Sequence, residues 1–142
     1  MFYDRWHILL VDDERDVLLL SKLAMRSFKV YGLPLEIHTA GSKEDALRLL
    51  VSSPAFLPRL SVALIDVVME NDTAGLELCQ EIREGRGNKL AQLYIRTGQP
   101  GVAPERNVID RYDISGYITK AEATEDKLYT IVKSGVRQHL WA

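Results

Sequence analysis

The sequence predicts a doubly wound α/β fold with five parallel strands in the order 2-1-3-4-5. Three observations carry this reading. Five short apolar runs alternate with longer helix-compatible segments, the pattern of βα units around a parallel sheet. Two of the runs, Ile8–Val11 and Val62–Ile65, are apolar without alternation, as strands buried on both faces are. The Leu35–His38 run alternates and the Ser115–Ile118 run is weakly apolar, which places the second and fifth strands at the sheet edges.

The first strand is predicted over His7–Val11. Val17, Leu20, Ala24 and Phe28 then recur at helical spacing. The second strand runs Leu35–Ala40, and Ser42 with Asp45 three residues on makes a capping arrangement for the helix that follows. The third strand is Leu60–Asp66, followed by a helix marked by Leu76, Cys79 and Ile82. The fourth strand is Gln92–Thr97. Two prolines and two glycines in Thr97–Arg106 delay the next helix, with Pro104 suited to its first turn. The fifth strand is Ser115–Thr119. In the last helix Leu128, Ile131, Val132, Gly135, Val136 and His139 share a face, with Thr124 as N-cap ahead of Glu125 and Asp126. Lys29–Pro34 and Ser52–Pro58 read as loops. The order 2-1-3-4-5 is the flavodoxin-like arrangement.

The 142 residues suit one domain, read as residues 1–142, large enough to bury a core without staples. Apolar residues make up 46% and charged residues 27%, and the net charge is −2. That balance gives no basis for a polybasic surface for nucleic acid or membrane. Cys79 stands alone, so no internal disulfide forms, which fits a reducing cytoplasm. The N-terminus lacks the pattern of a signal peptide, and the apolar runs are too short to span a bilayer.

In this topology ligands bind at the carboxyl ends of the strands, where the strand order reverses between the first and third. The first strand ends in Asp12-Asp13-Glu14, the third in Asp66, the fourth in Thr97, and the fifth runs into Lys120. Three carboxylates brought together repel, and a divalent cation and an ammonium would offset that repulsion. Oxygen-only ligands suit Mg²⁺, and the lack of His or Cys at these strand ends argues against zinc there. A carboxylate beside a cation and a lysine is a nucleophile for phosphorus, giving an aspartyl phosphate.

Four segments, Val11–Glu14 (VDDE), Leu64–Met69 (LIDVVM), Ile95–Gly98 (IRTG) and Gly116–Lys120 (GYITK), resemble the signature of response-regulator receiver domains over nearly the whole chain. The resemblance implies a two-component signalling switch that is not a turnover enzyme. Asp66 would accept a phosphoryl group from the phosphohistidine of a sensor histidine kinase or phosphotransfer protein. Asp13 would ligate Mg²⁺ directly and Asp12 mainly through water, with Asp66 and the Val68 backbone carbonyl completing the protein ligands; Mn²⁺ would substitute. Lys120 and Thr97 would bind the phosphoryl group. Thr97 and Tyr117 would form the switch pair that alters partner affinity.

Three departures from that signature stand out. Ala121 follows Lys120 where receivers carry proline in a cis peptide. A cis bond here would cost about 2.5–4 kcal/mol, which favours a trans bond and a reshaped lysine loop without fixing either. Met69-Glu70 replaces Met-Pro, and the loop to Gly75 is one residue longer. The fourth helix starts late. These departures resemble a receiver subgroup that heads longer chains with cyclic-di-GMP-related or kinase output domains, so an output domain beyond Ala142 is left open.

Other residues receive quieter readings. Glu14 reads as a helix-start acid and Cys79 as packed helix. Trp6 and Trp141 read as packing residues against the domain or a dimer mate. Val68 and Gln99 flank the site and by resemblance tune dephosphorylation. His7, His38 and His139 are scattered in the sequence, and no role is assigned to them. Two rivals remain: a receiver-like interaction module that works without phosphate, and a haloacid-dehalogenase-like phosphatase. The second wants an acid two residues after the nucleophile, where Val68 stands.

Overall fold

The computed structural model describes residues 3–52, 56–98 and 105–141. Pro104 and Gln99 lie outside these residues. The elements run β1 (Trp6–Val11), α1 (Arg15–Met25), β2 (Lys29–Val30), β3 (Leu33–Ala40), α2 (Lys43–Ser52), α3 (Phe56–Arg59) and β4 (Leu60–Ile65). They continue with α4 (Ala74–Gln80), a π-helical turn (Glu81–Gly85), β5 (Gln92–Thr97), α5 (Glu105–Tyr112), β6 (Gly116–Thr119), a 3₁₀ turn (Lys120–Glu122) and α6 (Glu125–Trp141). The strands order β2-β3-β1-β4-β5-β6. The five expected parallel strands and their order are all present.

The sheet has one strand more than the sequence predicts. Lys29–Pro34 is not a loop but a tight hairpin, with Lys29 opposite Pro34 and Val30 opposite Leu33. Its corner residues Tyr31 and Gly32 both have positive φ, 50° and 79°. That is the signature of a type I′ turn, whose twist matches the flanking strands. Glycine adopts this conformation freely, whereas tyrosine is seldom found there, so the sequence does not announce the turn. The hairpin covers the edge expected for β3. The Ser52–Pro58 stretch likewise holds α3.

The sheet separates two cores. On one face Leu9, Val11, Ala63, Ile65, Leu93 and Ile95 meet Leu50, Leu78, Cys79, Ile82 and Val108 from α2, α4, its π-helical extension and α5. On the other, Ile8, Leu10, Val62, Leu64 and Tyr94 meet Met25 from α1 and Leu128, Ile131, Val132 and Val136 from α6. β4 is buried at every position, Ser61 included, in keeping with the apolar run Val62–Ile65. Burying each such aliphatic side chain contributes roughly 1.5–3 kcal/mol before entropy is counted. All six face residues expected for the last helix are buried. Its cap is also present, with Lys127 N donating to Thr124 Oγ1 at 3.3 Å. In α2, Asp45 N donates to Ser42 Oγ at 3.0 Å.

Of the stripe expected after the first strand, Phe28 is buried, Ala24 packs against the core and Val17 is half-buried, but Leu20 points to solvent, and Ser21 and Met25 face the sheet instead. A buried serine is used here because Arg96, a buried strand residue, donates through Nη1 to Ser21 Oγ at 2.7 Å. Trp6 packs into the core with its Nε1 donating to Val30 O at 2.8 Å, whereas Trp141 stands exposed at the end of α6 instead of packing into the domain.

Candidate functional site

The carboxyl ends of β1, β4, β5 and β6 bring most of the expected residues together. β1 pairs with β4 through Val11↔Ile65, so Asp12 and Asp66 leave adjacent strands at the same height. Asp66 N donates to Val11 O at 2.9 Å, and Asp12 N to Ala40 O at 3.1 Å, which extends the ladder and fixes both acids. Asp12 and Asp66 are buried and Asp13 is exposed. Carboxylate oxygens from the three approach within 4.8 Å of one another.

Lys120 offsets part of this charge. Its Nζ donates to Asp12 Oδ1 at 3.2 Å, Asp66 Oδ2 at 3.2 Å and Glu14 Oε1 at 2.8 Å. Asp12 Oδ2 lies 3.1 Å from the same Nζ yet accepts no hydrogen bond of good geometry. Burial works against the Lys120 charge, but hydrogen bonds to Glu14 and Asp12 overcome it and hold the pKa above its ordinary value. Asp66, by contrast, is driven towards its neutral form. Burial first, then the Asp12 charge, raises its pKa from 3.8 to about 6, and Lys120 only partly offsets them.

Several of these contacts were not read from the sequence. Glu14 occupies the N-cap position of α1 but makes no side-chain cap; it is a ligand of Lys120. Asp12 supplies the local turn by accepting from Glu14 N at 2.8 Å. Arg96 adds a second cation below the acids. Burial lowers its pKa, and the charges of Asp12 and Asp66 oppose that shift. Its Nη2 and Asp12 Oδ2 are the buried side-chain polar atoms left without a hydrogen bond among the described residues. Gly75 is required by close approach, because a Cβ there would overlap the Asp66 carbonyl oxygen. Its N–H donates to Val67 O at 3.0 Å. Only the glycine at the start of a helix could have hinted at this.

The departures around the site each find a local cause. The Lys120–Ala121 peptide is trans, as are all described peptides. The loop closes as a 3₁₀ turn, in which Thr119 N and Oγ1 donate to Glu122 Oε1 at 2.9 and 2.8 Å. Glu70, in place of proline, accepts from Lys43 N at 3.0 Å and Glu44 N at 3.3 Å and so caps α2 from across the groove. Burial alone would raise the Glu70 carboxyl, but these donors hold it below its ordinary range. The longer loop is pinned by Asn71, whose Oδ1 accepts from Thr73 N at 2.9 Å. The described part of α5 runs Glu105–Tyr112, and the expected late start of this helix falls on residues 99–104, outside the described residues.

Thr97 is fully buried at the end of β5, and Tyr117 is half-buried on β6. The register Ile95↔Tyr117 and Thr97↔Thr119 puts both on the same face of neighbouring strands. Burial and then the charge of Glu105 raise the Tyr117 phenol, so it stays protonated. Val68 lines the same cavity as Asp13, Glu14, Asp66, Gly98 and Lys120, a space of about 350 Å³. Cys79 is fully buried away from the site, and desolvation pushes its thiol up to about 12.

The donor set fits a hard divalent cation. It offers oxygen only, a surplus of negative charge, and in Asp12 Oδ2 a buried acceptor lacking a proton donor. The arrangement presents Asp66, beside Asp13 and Glu14, to a cavity wide enough for a phosphoryl group, with the Lys120 ammonium at its side.

Comparison with known proteins agrees with this architecture. No family model matches the sequence. The chain is 39% identical over 134 residues to 3'3'-cGAMP-specific phosphodiesterase 2 of Vibrio cholerae; the match covers 94% of this chain and 25% of that protein. The chain thus spans about a quarter of the length of that relative. The response regulator receiver domain protein of Clostridium thermocellum superposes with a TM-score of 0.75 at 20% identity, covering 96% of this chain and 99% of that one. The signal receiver domain of an HD domain-containing protein from Pseudomonas fluorescens Pf-5 superposes with a TM-score of 0.75 at 19% identity, covering 99% and 93%. The strand order, the acids ending β1 and β4, and these superpositions together give the chain the fold of the response-regulator receiver domains.

Proposed function

We propose that this chain is a phosphoacceptor switch and that Asp66 is the acceptor. The observation that carries the reading is Asp66 itself: a buried carboxylate facing an open cavity, 3.2 Å from Lys120 Nζ and crowded by Asp12. An Asp66 oxygen attacks the phosphorus of a phosphohistidine on a histidine kinase or phosphotransfer protein. The phosphorus–nitrogen bond breaks, its electron pair stays on the departing imidazole, which takes a proton, and an acyl phosphate remains on Asp66. Asp12, Asp13, Asp66 and the Val68 carbonyl would hold Mg²⁺, or Mn²⁺ in its place, which supplies charge neutralisation for the phosphoryl oxygens.

Lys120 supplies the counter-charge from this chain. It is already desolvated and oriented, so little reorganisation is needed when the phosphoryl group arrives. Glu14 and Asp12 keep it protonated and aimed at Asp66. Thr97 donates to a phosphoryl oxygen, and Tyr117, on the same face of the next strand, follows it and changes the partner surface. The chain acts as a regulatory segment rather than an enzyme with turnover, in the cytoplasm. The cyclic-dinucleotide phosphodiesterase relative supports a placement beside an output domain or partner that acts on cyclic dinucleotides.

Incubation with acetyl phosphate or a kinase and Mg²⁺, followed by intact-mass measurement, tests the proposal. The wild type gains one phosphoryl group and Asp66→Asn gains none. A wild type that stays unmodified with several donors, while binding no Mg²⁺ at millimolar concentration, would leave the fold with a phosphate-independent docking role.

A further inference from the structure

At the opposite end of the sheet, two histidines far apart in sequence meet. β1 and β3 pair in parallel with His7↔Glu36 and Leu9↔His38, so His7 lies opposite Glu36, and His38, two residues on, shares their face with Leu9 and Val11. The register between β1 and β4 shifts between His7 and Ile8, so a bulge sits beside this residue. Bulges re-aim side chains at sheet rims and next to functional sites. His7 and His38 are both partly buried, and Glu36 lies towards solvent.

Three atoms converge. His7 Nδ1 lies 3.2 Å from His38 Nε2 and 3.0 Å from Glu36 Oε2, and His38 Nε2 lies 3.6 Å from Glu36 Oε2. A tetrahedral ion with bonds of about 2.0–2.1 Å holds its ligands about 3.3–3.4 Å apart. The triangle has that size, and each residue offers the same atom to both of its neighbours. The other Glu36 oxygen, Oε1, is held by Arg5 Nη1 at 3.5 Å, which leaves Oε2 facing the rings. Phe56 of α3 walls the site, with its ring 4.2 Å from that of His38 and 5.9 Å from that of His7.

We propose that His7 Nδ1, His38 Nε2 and Glu36 Oε2 bind a single Zn²⁺, with the fourth position open to solvent. Two imidazoles and one carboxylate are a nitrogen-rich set that suits Zn²⁺, in contrast to the all-oxygen cluster of Asp12, Asp13 and Asp66. The two sites stand at opposite ends of β1. The five residue steps from His7 to Asp12 separate them by about 16 Å at strand spacing. Bound there, Zn²⁺ ties the start of β1 to β3 and reaches α3 through the Phe56 wall.

The test is calorimetric titration of the chelator-stripped chain with Zn²⁺ in millimolar Mg²⁺, which occupies the acidic cluster. One equivalent binds, His7→Gln and His38→Gln each weaken it by at least roughly tenfold, and Asp13→Asn retains it. Nuclear magnetic resonance of the wild type needs no variant: Zn²⁺ shifts the ring signals of His7 and His38 and leaves those of His139 in place. No saturable uptake, uptake that survives both histidine changes or is lost in Asp13→Asn, or ring signals of His7 and His38 that stay put would overturn the site. His139, held by Leu90 O at 2.9 Å, is the internal control.

Discussion

Two cations, the buried Arg83 and the half-buried Lys120, are satisfied in different ways. Arg83 sits in the π-helical turn after α4 and donates to backbone carbonyls, Asp113 O at 2.9 and 3.2 Å, Asn88 O at 3.1 Å and Ala91 O at 2.6 Å, with the exposed Asp113 carboxylate a looser ion-pair partner at 3.8 Å. Lys120 donates to side-chain carboxylates from three positions. Carbonyls carry no net charge and are fixed by the chain, so Arg83 clamps the π turn, the start of β5 and the end of α5 together. Carboxylates can exchange a cation for another, so Lys120 is held ready for a new anion. Arg83 is therefore read as architecture and Lys120 as chemistry, although both are desolvated strongly charged groups.

The largest expected effect separates the two by rate. Lys120→Ala lowers the rate of phosphoryl uptake from acetyl phosphate by roughly a hundredfold or more, about 3 kcal/mol of barrier, measured by intact mass against time. Arg83→Ala leaves that rate within a few fold once the protein is folded. It instead lowers unfolding stability by about 2–4 kcal/mol in urea titration, because several buried carbonyls lose their donors. A fast Lys120→Ala or a fully stable Arg83→Ala would dissolve the distinction.

Asp66→Asn sharpens it through pH. The Asp66 carboxyl titrates at about 6 in the folded chain against 3.8 in a free one. The folded state therefore binds more protons than the unfolded state in that window, and the wild type loses stability as pH rises from about 4 to about 6. The loss approaches 3 kcal/mol at neutral pH without metal. The amide that replaces the carboxyl does not titrate. In chelator the variant is thus the more stable protein at pH 7 and loses that advantage below pH 4, as thermal melts across pH would show. Saturating Mg²⁺ narrows the gap. The smallest effect is expected of Glu14→Gln, whose exposed carboxylate contributes under about 1 kcal/mol to stability and changes the uptake rate only modestly.

Much of this was legible in the sequence. The parallel strands show themselves because burial on both faces forces unbroken apolar runs, and α6 because its face repeats at helical period. The acids of the site are visible because topology assigns strand ends to one edge. What stayed hidden depends on tertiary partners. Tyr31 adopts a positive φ that its residue type does not advertise. Ser21 is inward where Arg96 finds an acceptor, so the apolar pattern of α1 misplaced Leu20, which stands in solvent. Glu14 looks like any helix-start acid until Lys120 arrives from 106 residues away. His7 and His38 meet through strand pairing, which sequence spacing does not reveal.

The central claim is that the phosphoryl group resides on Asp66. Chemical reduction of the phosphorylated chain with borohydride converts an aspartyl phosphate to homoserine, and peptide mass analysis then locates it. The account predicts homoserine in place of Asp66 alone. Homoserine in place of Asp12 or Asp13, or a phosphoryl group retained on a residue that borohydride does not reduce, would contradict it.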